Sequence, residues 1–262
     1  MDKVTVGDVL NAIDAFAPFA SQFEDDNSGL IAGRIDAEVS GVLCSVDVTF
    51  AVIEEALNSG CNLIVAHHPI LFYAVKSVTD CRYVTAVVLK ALNNDINIIA
   101  AHTNVDFASG GINDRLAELF KGKNLRALDC HSYVRLFDIA PTMLYDLAEY
   151  AKKILHDNAI LTIGENSVVT KVAVVSGSGG EADIIEYCAQ NNIAFMTADL
   201  KHHLAAMADD IDAKIIVFGH FTSESIFVTI VEEVISAAFP ELMVICSVKN
   251  VNPYRNRIEE KE

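Results

Sequence analysis

The chain has 262 residues, enough for one large domain or two modest ones with a substantial buried core. Its 36 acidic residues outnumber the 19 lysines and arginines, and the resulting net charge of −17 makes nucleic acid and anionic membranes unfavourable partners. Apolar residues make up 52% of the chain, but no run approaches the roughly 20 apolar residues of a membrane helix, so we expect a soluble protein.

The N-terminal segment and the cysteines indicate the compartment. An acidic residue at position 2 and the lack of a basic segment followed by an apolar one argue against a secretory signal. The six cysteines are widely spaced and form no C-x-x-C pair, which is typical of free thiols in a reducing compartment. We therefore expect a cytoplasmic protein without disulfides.

Apolar runs of strand length alternate with segments of helical period, which predicts an α/β fold with mostly parallel strands. Before residue 125, the predicted helices are 5–16, 48–58, 83–93 and 111–120, and the predicted strands are 42–46, 62–66 and 96–101. The less regular region 125–171 predicts a helix over 142–155 and an edge hairpin. After it, strands are predicted over 171–176, 194–197, 214–218 and 243–248, and helices over 182–191, 204–209 and 224–238.

Four of the predicted strands end in polar residues rather than in ordinary turn sequences. His67 and His68 follow one strand, and His102, Asp199 and His220 follow three others. Ligands of open α/β sheets bind outside the carboxyl ends of the strands, so these side chains are well placed to meet.

Two of these strand ends share a spacing of imidazole and carboxylate. His102 precedes Asp106, and His220 precedes Glu224, by four positions in each case. If the chain turns into helix there, both side chains of each pair lie on the same side. Together with His67 and His68, these residues form a mixed nitrogen and oxygen donor set that suits zinc, iron, manganese or nickel. Five or six such ligands exceed the needs of one tetrahedral ion and suggest a dinuclear site.

Several segments resemble, in order and spacing, a known family. The main segments are Ala66-His67-His68-Pro69-Ile70, Ala101-His102-Thr103-Asn104-Val105-Asp106 and Gly219-His220-x-x-x-Glu224. Supporting segments are Asn27-Ser28-Gly29-Leu30 with Gly33, Asp47-Val48-Thr49 and Thr197-Ala198-Asp199-Leu200-Lys201. Together they resemble the dinuclear-metal proteins labelled GTP cyclohydrolase I type 2 homologues, the Nif-three-like family.

The resemblance implies a set of metal ligands and an assembly. His68 and Asp106 would bind one ion, His67 and His220 the other, and Glu224 would bridge the two divalent ions. Because the family places Asp106 on the metal, His102 is better interpreted as a residue that orients ligands or shuttles protons. Family members form a toroidal homohexamer with the metal sites facing an internal cavity.

The resemblance also implies a two-lobed α/β chain with the Nif-three-like fold, in the short form without an inserted middle domain. The first lobe would comprise residues 1–125 together with 222–262 and carry most metal ligands, and the second would comprise 126–221. Two positions depart from the family pattern: Asp25-Asp26 stand where Trp is usual, and Ala198 stands where Gly is common. Neither position is a metal ligand.

Some further residues have both a functional and a structural interpretation. The Gly177–Gly180 segment is either a phosphate contact or a tight turn, and Lys201 with His202 and His203 either touches substrate or begins a solvated helix. Asp47 and Asp199 are candidates for orienting imidazoles. His131 and His156 are interpreted as surface residues.

Two functions fit these observations. The first is a dinuclear, metal-dependent hydrolase that acts on a nucleotide or a phosphorylated small molecule, with Glu224 and His102 as catalytic residues. Bound cations would offset the negative charge of the chain and admit such an anionic substrate. The alternative is a non-enzymatic metal-binding scaffold or regulator, which the same ligands would serve.

Overall fold

The computed structural model describes residues 3–254. Its helices are α1 (Val6–Phe16), α2 (Phe50–Asn58), α3 (Tyr83–Asn93), α4 (Thr103–Phe107), α5 (Ile112–Leu119), α6 (Leu144–Leu155), α7 (Ala182–Gln190), α8 (His202–Asp210), α9 (His220–Glu224) and α10 (Phe227–Ala238). Its strands are β1 (Gly29–Ala32), β2 (Val42–Ser45), β3 (Leu63–Ala66), β4 (Asn97–Ala100), β5 (Lys123–Ala127), β6 (Arg135–Met143), β7 (Leu161–Ile163), β8 (Val168–Val174), β9 (Ala194–Thr197), β10 (Ile215–Val217) and β11 (Val244–Cys246). A single 3-10 turn spans Phe19–Ser21.

The described chain divides into two units, each with its own sheet and apolar core. The first unit contains the residues up to Gly111 together with Ser225–Val251, and the second is built on Ile112–Glu224. The sequence placed the first lobe at 1–125 and 222–262, whose outermost residues lie outside the described part. The observed division differs because β5 pairs with β6, and α5 packs against the same sheet. Residues 112–125 therefore belong with the second unit.

The sheet of the first unit has the strand order β1-β4-β3-β2-β11. The four strands β4, β3, β2 and β11 are parallel, and β1 lies antiparallel at one edge. Every residue of β2, β3 and β4 is buried, which explains their continuous apolar sequences. Because β2, β3 and β4 run in the same direction, the residues that follow them meet at one edge of the sheet.

Two caps fix where the first helices begin. Thr5 accepts a hydrogen bond from the Asp8 backbone N–H, and the Asp8 carboxylate accepts one from the Thr5 N–H, which forms a capping box at α1. Thr49 accepts from the Val52 N–H and caps α2, so that helix begins at Phe50 rather than at the predicted Val48.

The sheet of the second unit is mixed, with the order β5-β6-β8-β9-β10-β7. Strands β8, β9 and β10 are parallel, whereas β7 and the β5–β6 hairpin are antiparallel. The predicted edge hairpin is therefore present, and the predicted helix over 142–155 is α6. Val134, Ile184, Phe195 and Ile215 lie in the core of this unit. The α/β fold predicted from the sequence is confirmed.

The long helix predicted over 224–238 is present as α10 over Phe227–Ala238, but its predicted start at Glu224 is wrong. The structure has α9, a turn at Ser225 and Ile226, and then α10. The Ser223 hydroxyl donates to the His220 carbonyl at 2.7 Å, a local side-chain bond that competes with continued helix. The break gives His220 and Glu224 a one-turn helix of their own.

Candidate metal centre

Three histidines cluster at the carboxyl end of the first unit's parallel strands. His67 and His68 follow β3, and His102 follows β4. The His67 ring centroid lies 5.0 Å from those of both His68 and His102, and the latter two are 5.6 Å apart. Each of the three offers one nitrogen within 4.8 Å of the others. Such a group could hold a metal ion.

An oxygen atom holds the Nδ1 of each histidine in this cluster. His67 Nδ1–H donates to the Ala101 carbonyl at 3.1 Å. His68 Nδ1 lies 2.8 Å from Asp47 Oδ1, and His102 Nδ1 lies 2.8 Å from Asp26 Oδ1. An oxygen acceptor at Nδ1 keeps the proton there, so the lone pair of the neutral ring is on Nε2.

Asp26 is a residue of this centre that the sequence reasoning missed. Its side chain is buried and also accepts hydrogen bonds from the Thr103 N–H at 3.1 Å and from the Thr103 hydroxyl at 2.5 Å. Burial alone would raise the pKa of Asp26, but the hydrogen bonds from His102 and Thr103 lower it to about 2. Asp26 is therefore a carboxylate that fixes the ring of His102 and the start of α4.

Asp106 lies on α4, one turn after His102. His102 occupies the N-terminal capping position of that helix. The helical turn predicted from the spacing of the two residues is present, and Asp106 is buried. Its carboxylate extends from the same short helix that begins at the histidine cluster.

The second unit carries an imidazole and carboxylate pair on α9. His220 Nε2 lies 3.0 Å from Glu224 Oε2, and His220 Nδ1 lies 2.6 Å from Asp199 Oδ2. Burial would lower the pKa of His220, but Glu224 and Asp199 outweigh it and raise the pKa to about 9. Asp47 and Asp199, which the sequence predicted to orient imidazoles, thus do so.

Backbone contacts hold α9 in place. The Gly219 N–H donates to the buried Asp157 carboxylate at 2.6 Å immediately before the helix. The Gly177 N–H donates to the Ser223 hydroxyl at 3.0 Å. Asp157 and Ser223 therefore tie the loops around α9 to fixed positions.

Gly177 begins the segment for which the sequence left open a phosphate contact or a tight turn. Its φ is +57°, and a Cβ built on it would lie 2.2 Å from Glu224 Oε1 and 3.5 Å from His220 Cε1. Only glycine adopts this conformation without strain and leaves room for the carboxylate. The segment therefore includes a tight turn whose first residue makes space for Glu224.

The remaining candidates are surface residues. Lys201 occupies the N-cap position of α8 without a side-chain capping bond, and Lys201, His202 and His203 are exposed, as expected for a solvated start of a helix. His131 pairs with Asp183 at 2.7 Å, and His156 is exposed in a left-handed conformation after α6.

The six cysteines are free, as predicted. Within residues 3–254, no helix combines the length and the apolar character needed to cross a membrane.

The donor set fits a divalent transition metal. Four imidazoles have Nδ1 fixed by an oxygen, and two buried carboxylates, Asp106 and Glu224, extend from one-turn helices. Metal-binding histidines of proteins almost always have their other nitrogen fixed in this way. The fold and these clusters define a two-unit α/β protein with candidate metal-binding groups in both units.

Comparisons with known proteins identify the family. The model of the Duf34/NIF3 (NGG1p interacting factor 3) family matches residues 4–253, and the chain belongs to this family. A GTP cyclohydrolase 1 type 2 homolog of Clostridium acetobutylicum is 28% identical over 267 residues, which cover 97% of this chain and 99% of that protein. Another of the same name from Methanocaldococcus jannaschii is 29% identical over 222 residues, 83% of this chain and 88% of that one.

A solved structure supports the same assignment. The hypothetical protein SA1388 of Staphylococcus aureus superposes with a TM-score of 0.90 at 25% identity, covering 97% of this chain and 100% of that one. The resemblance stated from the sequence is therefore confirmed, and so is the Nif-three-like fold.

Proposed function

We propose that the chain binds two divalent metal ions through His67, His68, Asp106, His220 and Glu224, and that it hydrolyses a nucleotide or a phosphorylated small molecule. The observation that carries this proposal is the oxygen partner at Nδ1 of His67 and His68, which leaves Nε2 of the neutral ring as the donor atom. His220 has the same kind of partner at Nδ1, and its Nε2 faces Glu224, the other proposed ligand of α9. The names of the curated relatives support a nucleotide as the substrate class.

Glu224, Asp26 and His102 each have a proposed role that follows from their contacts. When bound, divalent ions in such sites act as Lewis acids and make water a nucleophile near neutral pH. Glu224 supplies a buried anion, and the glycine at 177 leaves it the space to do so. Asp26 fixes Nδ1 of His102, so Nε2 of that ring is the atom that accepts or gives a proton.

The charge of the chain bears on the substrate. A net charge of −17 repels an anionic substrate in general, and two bound divalent cations reverse the local sign where they sit. The metal-loaded protein is therefore the form that would admit a phosphorylated molecule.

Kinetics of three variants test the enzyme proposal on a panel of nucleotides and phosphodiesters. Glu224→Gln keeps the volume but removes the charge, so we expect weaker binding of at least one ion and about 100-fold or more loss of turnover. His102→Asn should keep both ions and slow turnover by about 100-fold, because it removes only the proton-carrying group. His131→Asn, which alters a surface histidine with a carboxylate partner, serves as the matched control and should match wild type.

Two results would contradict the proposal. If Glu224→Gln retains full occupancy and full activity on a substrate that wild type turns over, the chemistry lies elsewhere, and the Gly177–Gly180 segment with Lys201 becomes the better candidate. If the metal-loaded wild type turns over nothing in the panel, the non-enzymatic metal-binding scaffold is favoured.

A further inference from the structure

Two neighbouring aromatic residues are exposed on the loop that follows the histidines of the first unit. Phe72 is 38% exposed and Tyr73 is 80% exposed, only a few positions after His68. Their ring centroids are 5.0 Å apart at an interplanar angle of 85°. This edge-on arrangement is a favoured one for aromatic pairs, and most of the Tyr73 ring remains open to solvent.

The aromatic pair adjoins the histidine cluster. The Phe72 ring centroid lies 6.1 Å from that of His102, at an interplanar angle of 89°. His102 in turn contacts both His67 and His68. A molecule resting against the aromatic pair would thus have a neighbouring part beside the candidate metal-binding nitrogens.

Two consecutive residues, Asp26 and Asn27, fix the positions of the histidine cluster and the aromatic pair. The Asn27 side-chain amide donates to the Leu71 carbonyl at 2.6 Å, immediately before Phe72. Asp26, the preceding residue, holds Nδ1 of His102 at 2.8 Å. The same short segment therefore fixes both the start of the aromatic loop and the ring of His102.

Exposed aromatic rings next to polar groups are a signature of ligand recognition. Water solvates an aromatic face poorly, whereas a planar ring of a ligand stacks on it favourably. Stacking of a nucleobase on a protein aromatic residue contributes about 1–3 kcal/mol and tolerates different bases, because every base has a π-face. Since the Phe72 ring centroid lies 6.1 Å from that of His102, a ring stacked on the pair would be held near the cluster.

We propose that Phe72 and Tyr73 form the surface that binds a planar aromatic ring of the substrate next to the histidine cluster. This inference rests on the proposed function and adds to it the residues that select a ring-bearing substrate. It implies recognition of the ring by its face, and thus little discrimination between purine bases.

Titration calorimetry of the 262-residue chain tests this inference. The probes are guanosine and adenosine 5′-monophosphate, with ribose 5-phosphate as the matched compound that lacks the ring. We expect Tyr73→Ala to weaken binding of both nucleotides about tenfold and to leave ribose 5-phosphate unchanged. Tyr73→Phe, which keeps the ring, should restore affinity to within about twofold of wild type.

Another edge-on pair in the same unit provides the control. Phe50 and Tyr83 have ring centroids 5.6 Å apart at 88°, and both residues are exposed. Tyr83→Ala removes another exposed tyrosine of an edge-on pair and should bind both nucleotides like wild type.

The inference is overturned if Tyr73→Ala and wild type bind the nucleotides equally, or if wild type binds ribose 5-phosphate as tightly as the nucleotides. It is also overturned if Tyr73→Ala changes the mass of the particle in light scattering while nucleotide affinity stays the same, because a second copy then covers the rings. Metal content of the same samples separates the two proposals. If purified wild type contains no metal and its nucleotide affinity still depends on Tyr73, the metal proposal is contradicted and the inference about the aromatic pair stands.

Discussion

Gly177 governs the candidate centre of the second unit because it has no side chain. Its left-handed backbone brings the chain so close to Glu224 that a single methyl group would overlap the carboxylate. Gly60 has a similar φ of +73°, but nothing lies within 4 Å of a Cβ at that position. Substitutions at the two glycines therefore distinguish the effect of backbone strain from the effect of crowding the Glu224 carboxylate.

We predict that Gly177→Ala and Gly60→Ala each lower the free energy of unfolding by about 1–2 kcal/mol, since alanine is strained at positive φ. Only Gly177→Ala should also weaken metal binding, by at least about tenfold, because it displaces Glu224. Urea unfolding and metal titration measure the two effects. Equal metal affinity in both variants would show that Glu224 is not a ligand.

The orienting residues differ in how far sequence could predict them. Asp47 and Asp199 lie within motifs next to other site residues, and both were predicted to hold imidazoles. Asp26 holds His102 from a position 76 residues away in the chain. Nothing in the local pattern around Asp26 links it to that histidine, because the contact depends on how β1 and β4 pair in the tertiary structure.

Buried thiols give a second prediction at this scale. Burial raises the pKa of Cys188 to about 12, and it raises the pKa of Cys44 as well. At pH 8 both stay protonated and shielded, so iodoacetamide should leave them unmodified in the native protein and should modify the exposed Cys81. Mass spectrometry of peptides checks this, with urea-unfolded protein as the control in which all three react. Rapid labelling of native Cys188 would contradict the described core.

Among the elements, the short helix α9 matters most because both of its ends carry candidate ligands. The sequence predicted the spacing of His220 and Glu224, but it placed Glu224 at the start of one long helix. Periodicity of apolar residues could not reveal the break, because it does not show contacts such as those of the Ser223 hydroxyl, which accepts from the distant Gly177 N–H and donates to the His220 carbonyl just before the turn.

We predict that Asp157→Ala lowers the free energy of unfolding by about 1–3 kcal/mol, because the half-buried Gly219 N–H that precedes α9 loses its acceptor. Asp157→Asn keeps an acceptor oxygen of the same size and should lose less. Chemical denaturation measures both variants. If the alanine variant were as stable as wild type, this hydrogen bond would not hold α9 in place.

At the scale of the whole molecule, the resemblance implied two α/β lobes that divide after residues 125 and 221, and the described chain divides after Gly111 and Glu224. Apolar periodicity locates strands and helices, yet it does not say which sheet an edge strand joins. The pairing of β5 with β6 moved residues 112–125 to the second unit, and the turn after α9 left Glu224 there as well.

Assembly is a prediction at the same scale. The resemblance to the family favours a homohexamer, and large apolar side chains such as Leu161 and Val248 are 65% and 76% exposed in the single chain. Light scattering at micromolar concentration should give six times the chain mass of 28.4 kDa. A monomer peak that persists on concentration would contradict this assembly.

Elemental analysis of protein purified without chelator tests the central claim most directly. The metal-to-chain ratio should be close to two divalent ions in wild type and in the His131→Ala control. It should fall in His68→Ala and Asp106→Ala while their circular dichroism stays near that of wild type, because we propose both residues as ligands and neither belongs to the apolar core. The contradicting result is a wild-type protein that contains no transition metal after mild purification and takes none up on dialysis.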